Sequence, residues 1–554
     1  MDKMVRKYNS LDEVPQQVME KLRKYITNIG GDTFVIHGLP PELTGGVLAR
    51  YSRAPTGLQL TLINEFLDES GEPSQKKGME IMDRVLNAFG DDSVGELEGT
   101  HVGVENISQL ATKSIEDRRI GGSPIEQSTR YVKYDQKDER GQWRYLRPKE
   151  IIDSSLRDKF EIVNDRAFEV YQQGIQLLIE HFKKEYPREK HTIPDTEGQK
   201  VYEKDLITEA QKREFNNSYN FTVRCAALDV GRCVLPSSTL THIGLFGNGR
   251  YFTGVLTYMK SSELAEERER ASLLEVELNK VIPTFIKRNK ENKKIAQTHA
   301  SMRILAKELF VGIKPQAGWV TFSPRSEYFN EVIASMLYPY TNISLAQIAD
   351  EVQKMSSETK LKVYETYIGQ RESRRDRSGR GLEAGYPITF DLVGGFAEYR
   401  DLERHRMLTQ QRQTLTPDLG FIMPPEMSTI GLEQQVSEVV GMMEDINGDL
   451  RHAGLEVAAQ YATLFNHRIR FMMGMNLREF QHLSELRTQP AGHFSYRSMV
   501  QEMAKKLKDK YGWVEKAINH VNYSDPGNKI SRAREQFKIA GRNLAKGVDG
   551  GTDY

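Results

Sequence analysis

Apolar residues recur along most of this chain at helical spacing. In 12–28, Val14, Val18, Leu22 and Ile26 fall every four residues, which predicts one helix with a single buried face. The stretches 156–185 and 263–286 repeat the pattern, with charges on the opposite face. VGVEN (102–106) and ITFDLV (388–393) read as short strands. YPREKHTIPDTEGQK (186–200) is rich in charge, Pro and Thr and predicts a long loop, and VGIKPQAGWVTFSPRS, near 310–325, predicts a linker. The C-terminal tail holds a basic helix candidate, ISRAREQFKIAGRNLAK, followed by GVDGGTDY.

Two features occur twice. A strand-like run, a helical stretch and terminal arginines appear as VGVENISQLATKSIEDRR, ending at Arg118 and Arg119, and again as ITFDLVGGFAEYRDLERHR, ending at Arg404, His405 and Arg406. Asn-x-Arg-x-Phe appears as Asn248, Arg250, Phe252 and as Asn476, Arg478, Phe480. The offsets are 286 for the first feature (404 minus 118) and 228 for the second (476 minus 248), so the first copy carries 58 extra residues. The polar stretch 186–200 is the natural place for much of that insert.

Composition narrows the functions. A length of 554 residues suggests three or four ordinary domains, or two large ones. The repeat favours two related domains, 1–312 with an insert near 183–213, and 313–554 with a helical tail. Lys plus Arg and Asp plus Glu are both 77, so the net charge is +0. Nothing here would coat nucleic acid or a membrane surface, and any phosphate site must be a local arginine cluster. Two cysteines, Cys225 and Cys233, exclude a disulfide scaffold and a thiolate zinc cluster. They sit among apolar neighbours and read as core thiols. No apolar run is long enough for a membrane helix, and MDKMVRKYNS lacks the apolar core of a signal peptide, so the expected location is the cytoplasm.

Common catalytic motifs are absent: there is no GxxxxGK[ST], HExxH or GxSxG, and GLFGNGRYFTG (244–254) does not match the dinucleotide fingerprint. Arginines near small hydroxyl residues remain. In SPIEQSTRYV (123–132), Glu126, Ser128 and Arg130 alternate, and an extended segment would turn all three to one ligand. Arginine's planar fork suits a phosphate. A surface ion pair between Glu126 and Arg130 is the plainer alternative. Arg232, in DVGRCVLP, lies among apolar residues and needs an anionic partner, either a carboxylate or a ligand. Arg404-His405-Arg406 ends a helix, where cations favour the helix dipole.

These residues resemble the flavin-dependent thymidylate synthase family, in its long tandem form. The family signature runs Arg-His-Arg, a few residues, then Glu-x-Ser-x-Arg-Tyr. RHRMLT and EQSTRYV resemble its two halves, ALDVGRCVLP its Arg-x-x-Leu-Pro segment, NLREFQHLSELR (476–487) its later arginine-ended segment, and LARYSR (48–53) its early Ala-Arg-x-Ser. The resemblance implies an α+β fold of two tandem domains, each a sheet flanked by many helices. The signature is split between the copies. The first keeps Glu126-x-Ser128-x-Arg130 but has Arg118-Arg119-Ile120. The second keeps Arg404-His405-Arg406 but has Arg412-x-Thr414-x-Thr416. Arg232 aligns with Gln460, and Arg487 with Met259.

The resemblance therefore implies one composite site from unlike domains. It would make dTMP from dUMP with methylenetetrahydrofolate as carbon donor and NADPH-reduced FAD as hydride carrier. Glu126, Ser128, Thr129, Arg130, Arg232, Arg487 and Arg404 would bind the nucleotide, the last two nearest the chemistry. Arg404, His405, Arg406, Asn476, Arg478 and His482 would lie around the flavin. Two departures stand out. Gly99 and Gly385 occupy the place of a family histidine, for which His101 or Glu383 are the candidate substitutes, and Asp401 replaces a base-contacting Gln. The second leaves open another pyrimidine nucleotide, or a flavin- and nucleotide-binding protein without turnover. By analogy, a homodimer would rebuild a four-domain assembly.

Overall fold

The computed structural model describes residues 8–546 except 53, 69–70, 75–94, 119, 196, 288, 310–317, 323–326, 338–344, 370–379 and 386. Most of the 310–325 linker, Arg53, Arg119 and the GVDGGTDY end lie outside the described residues. The chain forms two compact units, Met1–Gln127 with Leu240–Ile313, and Ser128–Thr239 with Lys314–Tyr554. One boundary falls beside the expected 312/313 junction. However, Ser128–Thr239, from the first repeat, packs with the second repeat.

In the first unit, 12–28 is not one helix. The helix covers Gln16–Leu22, and the chain then reverses through Gly30, whose φ of 77° suits glycine, so that Ile26 bridges Ile36. Val14, Val18, Leu22 and Ile26 nevertheless share one core with Leu43, Val47, Leu62 and Phe66. The four-residue spacing reported burial correctly but not backbone shape. Likewise 263–286 divides into Ala265–Leu278 and Pro283–Ile286, because the residue before Pro283 disfavours helix. Strands β1 (Gly99–Ser108), β2 (Gly122–Glu126) and β5 (Leu240–Asn248) form an antiparallel sheet in the order β1-β5-β2.

In the second unit, β6 (Val320–Phe322), β7 (Ile388–Gly395), β8 (Thr409–Arg412) and β9 (Arg468–Met475) form an antiparallel sheet, β6-β7-β9-β8. Seven helices concern the site: α1 (Arg157–Glu185), α2 (Glu209–Gly231), α3 (Phe396–Leu402), α4 (Glu433–His452), α5 (Leu477–Arg487), α6 (Phe494–Lys510) and α7 (Ala533–Lys546). The predicted loop 186–200 contains a short hairpin, β3 (Ile193–Pro194) with β4 (Lys200–Val201). Thr208 and Gln211 then open α2 with a reciprocal capping box.

The repeat is visible strand by strand. Both sheets place the strand before the arginines next to a middle strand, and the strand after them on its other side. Each middle strand runs into an asparagine that caps the following helix. The Asn248 side chain accepts from Tyr251 N–H, and the Asn476 side chain from Glu479 N–H, both at 2.9 Å. Phe252 and Phe480 are fully buried beneath these helices. Between β2 and β5 lie 113 residues and between β8 and β9 lie 55, a difference of 58.

Inside the second unit, Ser237 N–H donates to Thr463 O at 2.7 Å and Phe465 N–H to Leu235 O at 2.9 Å. Adding 228 to 237 and 235 gives 465 and 463, so each bond is the other's counterpart. Reciprocal contacts of this kind are the pattern of a two-fold axis between like surfaces.

Candidate functional site

The alternation predicted through Arg130 stops at Glu126, the last residue of β2. Beyond it the chain turns: Ser128 O accepts from Tyr131 and Val132 N–H, and Ser128 Oγ accepts from Arg130 N–H at 3.2 Å. Glu126, Ser128 and Arg130 therefore do not project from one extended face. Glu126 belongs to the first unit, where its buried carboxylate receives Lys113 Nζ at 3.5 Å. The first unit thus uses Glu126 as a partner for a buried lysine.

Arg130 sends its fork to Asp229 on α2, Nε to Oδ1 at 2.7 Å and Nη2 to Oδ2 at 2.8 Å. Burial pulls this guanidinium's pKa down, but Asp229 outweighs it and holds Arg130 above its usual value. Burial pushes Asp229 up, yet Arg130, His493 and Arg232 bring it to about 2. Arg232 caps α2 at its C-terminus, is 3% exposed, and reaches Thr129 Oγ1 at 3.5 Å and Asp401 Oδ2 at 3.4 Å. Its Nε is buried without a hydrogen-bond partner among the described residues. Asp401, on α3, is pushed up by burial. The Arg232, Arg404, Arg130 and Arg487 guanidiniums outweigh this and hold its carboxyl below the usual range. Asp401 therefore acts as counter-ion to arginines from both repeats, a role that its alignment with a base-contacting Gln did not suggest.

Past α3, Arg404 and Arg406 are exposed and His405 is 4% exposed. His405 Nε2 lies 2.9 Å from Arg487 Nε, at the end of α5, and its Nδ1 lies 2.9 Å from Glu479 Oε1. A guanidinium can only donate, so Nε2 accepts and Nδ1 carries the proton to Glu479. Burial, with Arg487 beside it, pushes His405 well below its usual pKa, so it is neutral. His405 thereby fixes Arg487, whose two terminal nitrogens make no protein hydrogen bond among the described residues. His482 meets the His405 ring edge-on at 5.4 Å. Asn476 spends its side-chain oxygen on the α5 cap. Arg478 pairs with Glu383, while its Nε is buried without a hydrogen-bond partner among the described residues.

Alignment had not singled out Asp229, Glu479 or His493. Asp229 stands three residues before Arg232, and Glu479 lies inside the Asn-x-Arg-x-Phe helix; an acid so near an expected ligand arginine was the available signal. His493 accepts from Ser495 N–H at Nδ1 and so donates from Nε2 to Asp229 O at 3.0 Å.

The counterpart positions differ. Met259, equivalent to Arg487, is buried in the apolar core of the first unit, and Arg118 lies 4.5 Å over the Tyr258 ring. Gln460, equivalent to Arg232, accepts from Arg412 Nη1 at 3.4 Å and Leu415 N–H at 3.3 Å. At the two positions expected to align with a family histidine, a side chain would be crowded or strained. A Cβ on Gly99 would fall 2.6 Å from the Phe246 ring, and Gly385 has φ 62°. His101 packs against Phe246, and Glu383 is the partner of Arg478. Cys225 and Cys233 are buried free thiols, and burial raises both, Cys225 to about 12. Among the described residues there is no acidic, His or Cys cluster able to hold a metal, and no helix long and apolar enough to cross a membrane.

A family model described as thymidylate synthase complementing protein matches residues 48–284 and 332–511. The chain belongs to that family. Family membership brings a mixed helix-and-sheet fold and the flavin-dependent thymidylate synthase relationship read from the sequence. The chain is 34% identical over 525 residues to a UPF0159 protein of Chlamydia pneumoniae, covering 91% of this chain and 94% of the relative. It is 28% identical over 504 residues to a UPF0159 protein of Thermoplasma acidophilum, covering 90% and 99%. A flavin-dependent thymidylate synthase from Helicobacter pylori, solved with FAD and dUMP, aligns at 15% identity and TM-score 0.22 over 43% of this chain and 90% of its own. Both family segments contain arginines of the site.

Proposed function

We propose that this protein is a flavin-dependent thymidylate synthase that makes dTMP from dUMP, with methylenetetrahydrofolate as carbon donor and NADPH as reductant. One observation carries the reading: Arg232 of the first repeat and Asp401 of the second form a buried pair, with Arg130, Arg404 and Arg487 acting on the same carboxylate. Complementary halves of the family signature thus supply one cluster. In this reading Arg130 and Arg232, with Ser128 and Thr129, hold the nucleotide phosphate. Arg487 and Arg404 serve the base and sugar. The terminal nitrogens of Arg487, unbonded among the described residues and aimed by neutral His405, suit charge that develops on a uracil carbonyl.

FAD fits the neighbouring donors. Arg406 is exposed, and Arg478 offers a buried Nε with no hydrogen-bond partner among the described residues, which suits a diphosphate. Arg404, Arg406, Arg478 and His482 would hold it, with His405 behind them and Asn476 as the cap beneath. When bound, FAD carries the hydride.

Two tandem domains, 1–312 and 313–554, are the second part of the proposal, supported by the matching strand orders and the reciprocal Ser237–Thr463 and Phe465–Leu235 bonds. There is one working site for each pair of unlike domains, because Met259, Gln460 and Thr416 replace three arginines in the reverse pairing. Each lost charged hydrogen bond costs about 1.5–3 kcal/mol, which together removes nucleotide binding by powers of ten. Two chains would rebuild a four-domain assembly, located in the cytoplasm.

The test combines colour and turnover. The holoprotein should show flavin absorbance and release labelled hydrogen from C5 of dUMP when given methylenetetrahydrofolate and NADPH. Flavin binding without release from dUMP would leave a binding protein, or an enzyme for another pyrimidine nucleotide, the reading that the aspartate at 401 favours. No flavin binding would refute both.

A further inference from the structure

The family match ends at residue 511, yet the tail beyond it reaches the arginine cluster of the second unit. Arg532, just before α7, is 8% exposed. Its Nη1 donates to Tyr131 Oη at 2.8 Å and its Nη2 to Ala491 O at 2.9 Å, and the guanidinium lies 5.1 Å over the Tyr131 ring. Arg130 Nη2 approaches the same Ala491 oxygen at 3.4 Å. Two guanidiniums therefore converge on one carbonyl. Arg130 has Asp229, but Arg532 makes no ion pair among the described residues. A buried cation with only neutral acceptors is costly unless an anion joins it. The charges nearest the Cys225 thiol tell the same story: Arg532, Arg130 and Arg224 oppose the upward push of burial, against Asp229 alone.

The tail is held in place by the insert that distinguishes the first repeat. Ala540 of α7 packs against Ile193 of β3 and Phe215 of α2, and Asn543 Nδ2 donates to Glu214 Oε2 at 3.3 Å. Ser531 Oγ donates to Pro490 O, and Lys529 pairs with Glu426. Insert and tail together present Arg532 beside Arg130.

We propose that Arg532 is a substrate-binding residue: with Arg130 it forms a two-arginine site for a phosphate monoester dianion, the 5′-phosphate of the nucleotide. This rests on the nucleotide-binding reading above and adds to it a residue from outside the matched segments. Ordering of the tail then reports on phosphate occupancy, and a substrate without phosphate gains nothing from it.

The experiment is calorimetric titration of the full-length, FAD-loaded protein with dUMP, with deoxyuridine and with inorganic phosphate. Wild type should prefer dUMP to deoxyuridine. Arg532→Ala should weaken dUMP by about tenfold or more and leave deoxyuridine unchanged. Arg532→Lys, which keeps the charge but not the fork, should fall between them. If Arg532→Ala keeps the wild-type ratio while Arg130→Ala loses it, Arg532 does not bind phosphate and only the tail proposal fails. Equal loss for dUMP and deoxyuridine with a lower melting temperature would make Arg532 structural and also overturn it. A wild type that binds both ligands alike overturns the nucleotide site itself, and the tail proposal with it. Should Arg532→Ala fail to fold, the Arg532→Lys ratio decides.

Discussion

Asp401→Asn should lower stability and raise anion affinity at once, and these opposite signs make it a sharp test of the arginine cluster. Arg232 is 3% exposed, with Asp401 at 3.4 Å as its ion-pair partner and Thr129 at 3.5 Å as its other acceptor. Breaking a buried pair by removing one partner costs about 3–5 kcal/mol. The long separation, and the additional field of Asp229 on Arg232, place the loss near the lower end, about 3 kcal/mol. For a unit as large as the second one, at about 2.1 cal/mol/K of unfolding entropy per residue, that is a fall of about 4 °C in melting temperature. The carboxylate also repels any phosphate that enters the cluster, so the variant should bind inorganic phosphate and dUMP more tightly than wild type. Phosphate should then restore more stability to the variant, by mass action on the folded state. The assay is thermal unfolding in phosphate-free buffer, with and without added phosphate.

The pH dependence of this difference has a defined sign. Asp401 is held below its unfolded value, so its contribution is complete above that value and disappears as pH falls through the folded one. The difference between wild type and variant should hold above about pH 5 and close below it. A variant as stable as wild type, or one that gains nothing extra from phosphate, would refute the counter-ion role.

Other outcomes follow from the same geometry. Arg130→Ala and Arg487→Ala should each abolish dUMP binding while Arg412→Ala leaves it intact; equal loss in all three, by titration, would defeat the single composite site. Asn476→Ala should cost about 1 kcal/mol in denaturant unfolding while Asn476→Asp is tolerated, because either side chain caps α5; loss of FAD with no change in stability would show a flavin role instead. His191, His467 and His493 are buried and held at about 4, 4 and 3, and His405 well below its usual value. Lowered histidines stabilise the fold fully above their unfolded value near 6.5 and lose that contribution below it, so denaturant midpoints should drop steeply from about pH 6.5 to 4. His467→Gln should flatten part of that fall, and an unchanged pH profile would contradict neutral burial of its ring.

Much of the candidate site was legible in residue order, because the family signature is a local pattern that survives in halves. Arg130, Arg232, Arg404, His405 and Arg487 were all found that way; the four arginines act on Asp401, and His405 holds Arg487. Errors arose where local spacing was asked to give backbone direction. The alternation at 123–132 assumed an extended chain past Glu126, but the segment turns once Ser128 can bond Arg130 N–H. The Asn-x-Arg-x-Phe repeat also has a local role that spacing alone did not show: its asparagine satisfies an orphan N–H at a helix start.

The sequence by itself determined the repeat, the 58-residue surplus of the first copy, the long helix at 157–185 and the chemistry of the arginines. All of these are written in periodicity and residue type. Only the tertiary structure decided which arginine meets which carboxylate, that Ser128–Thr239 packs with the second repeat, and that a tail beyond residue 511 delivers Arg532 to Arg130. Those pairings join residues up to hundreds of positions apart, such as Arg130 and Ala491. They are set by buried charges seeking partners in a closed space, and that constraint leaves no local pattern to read.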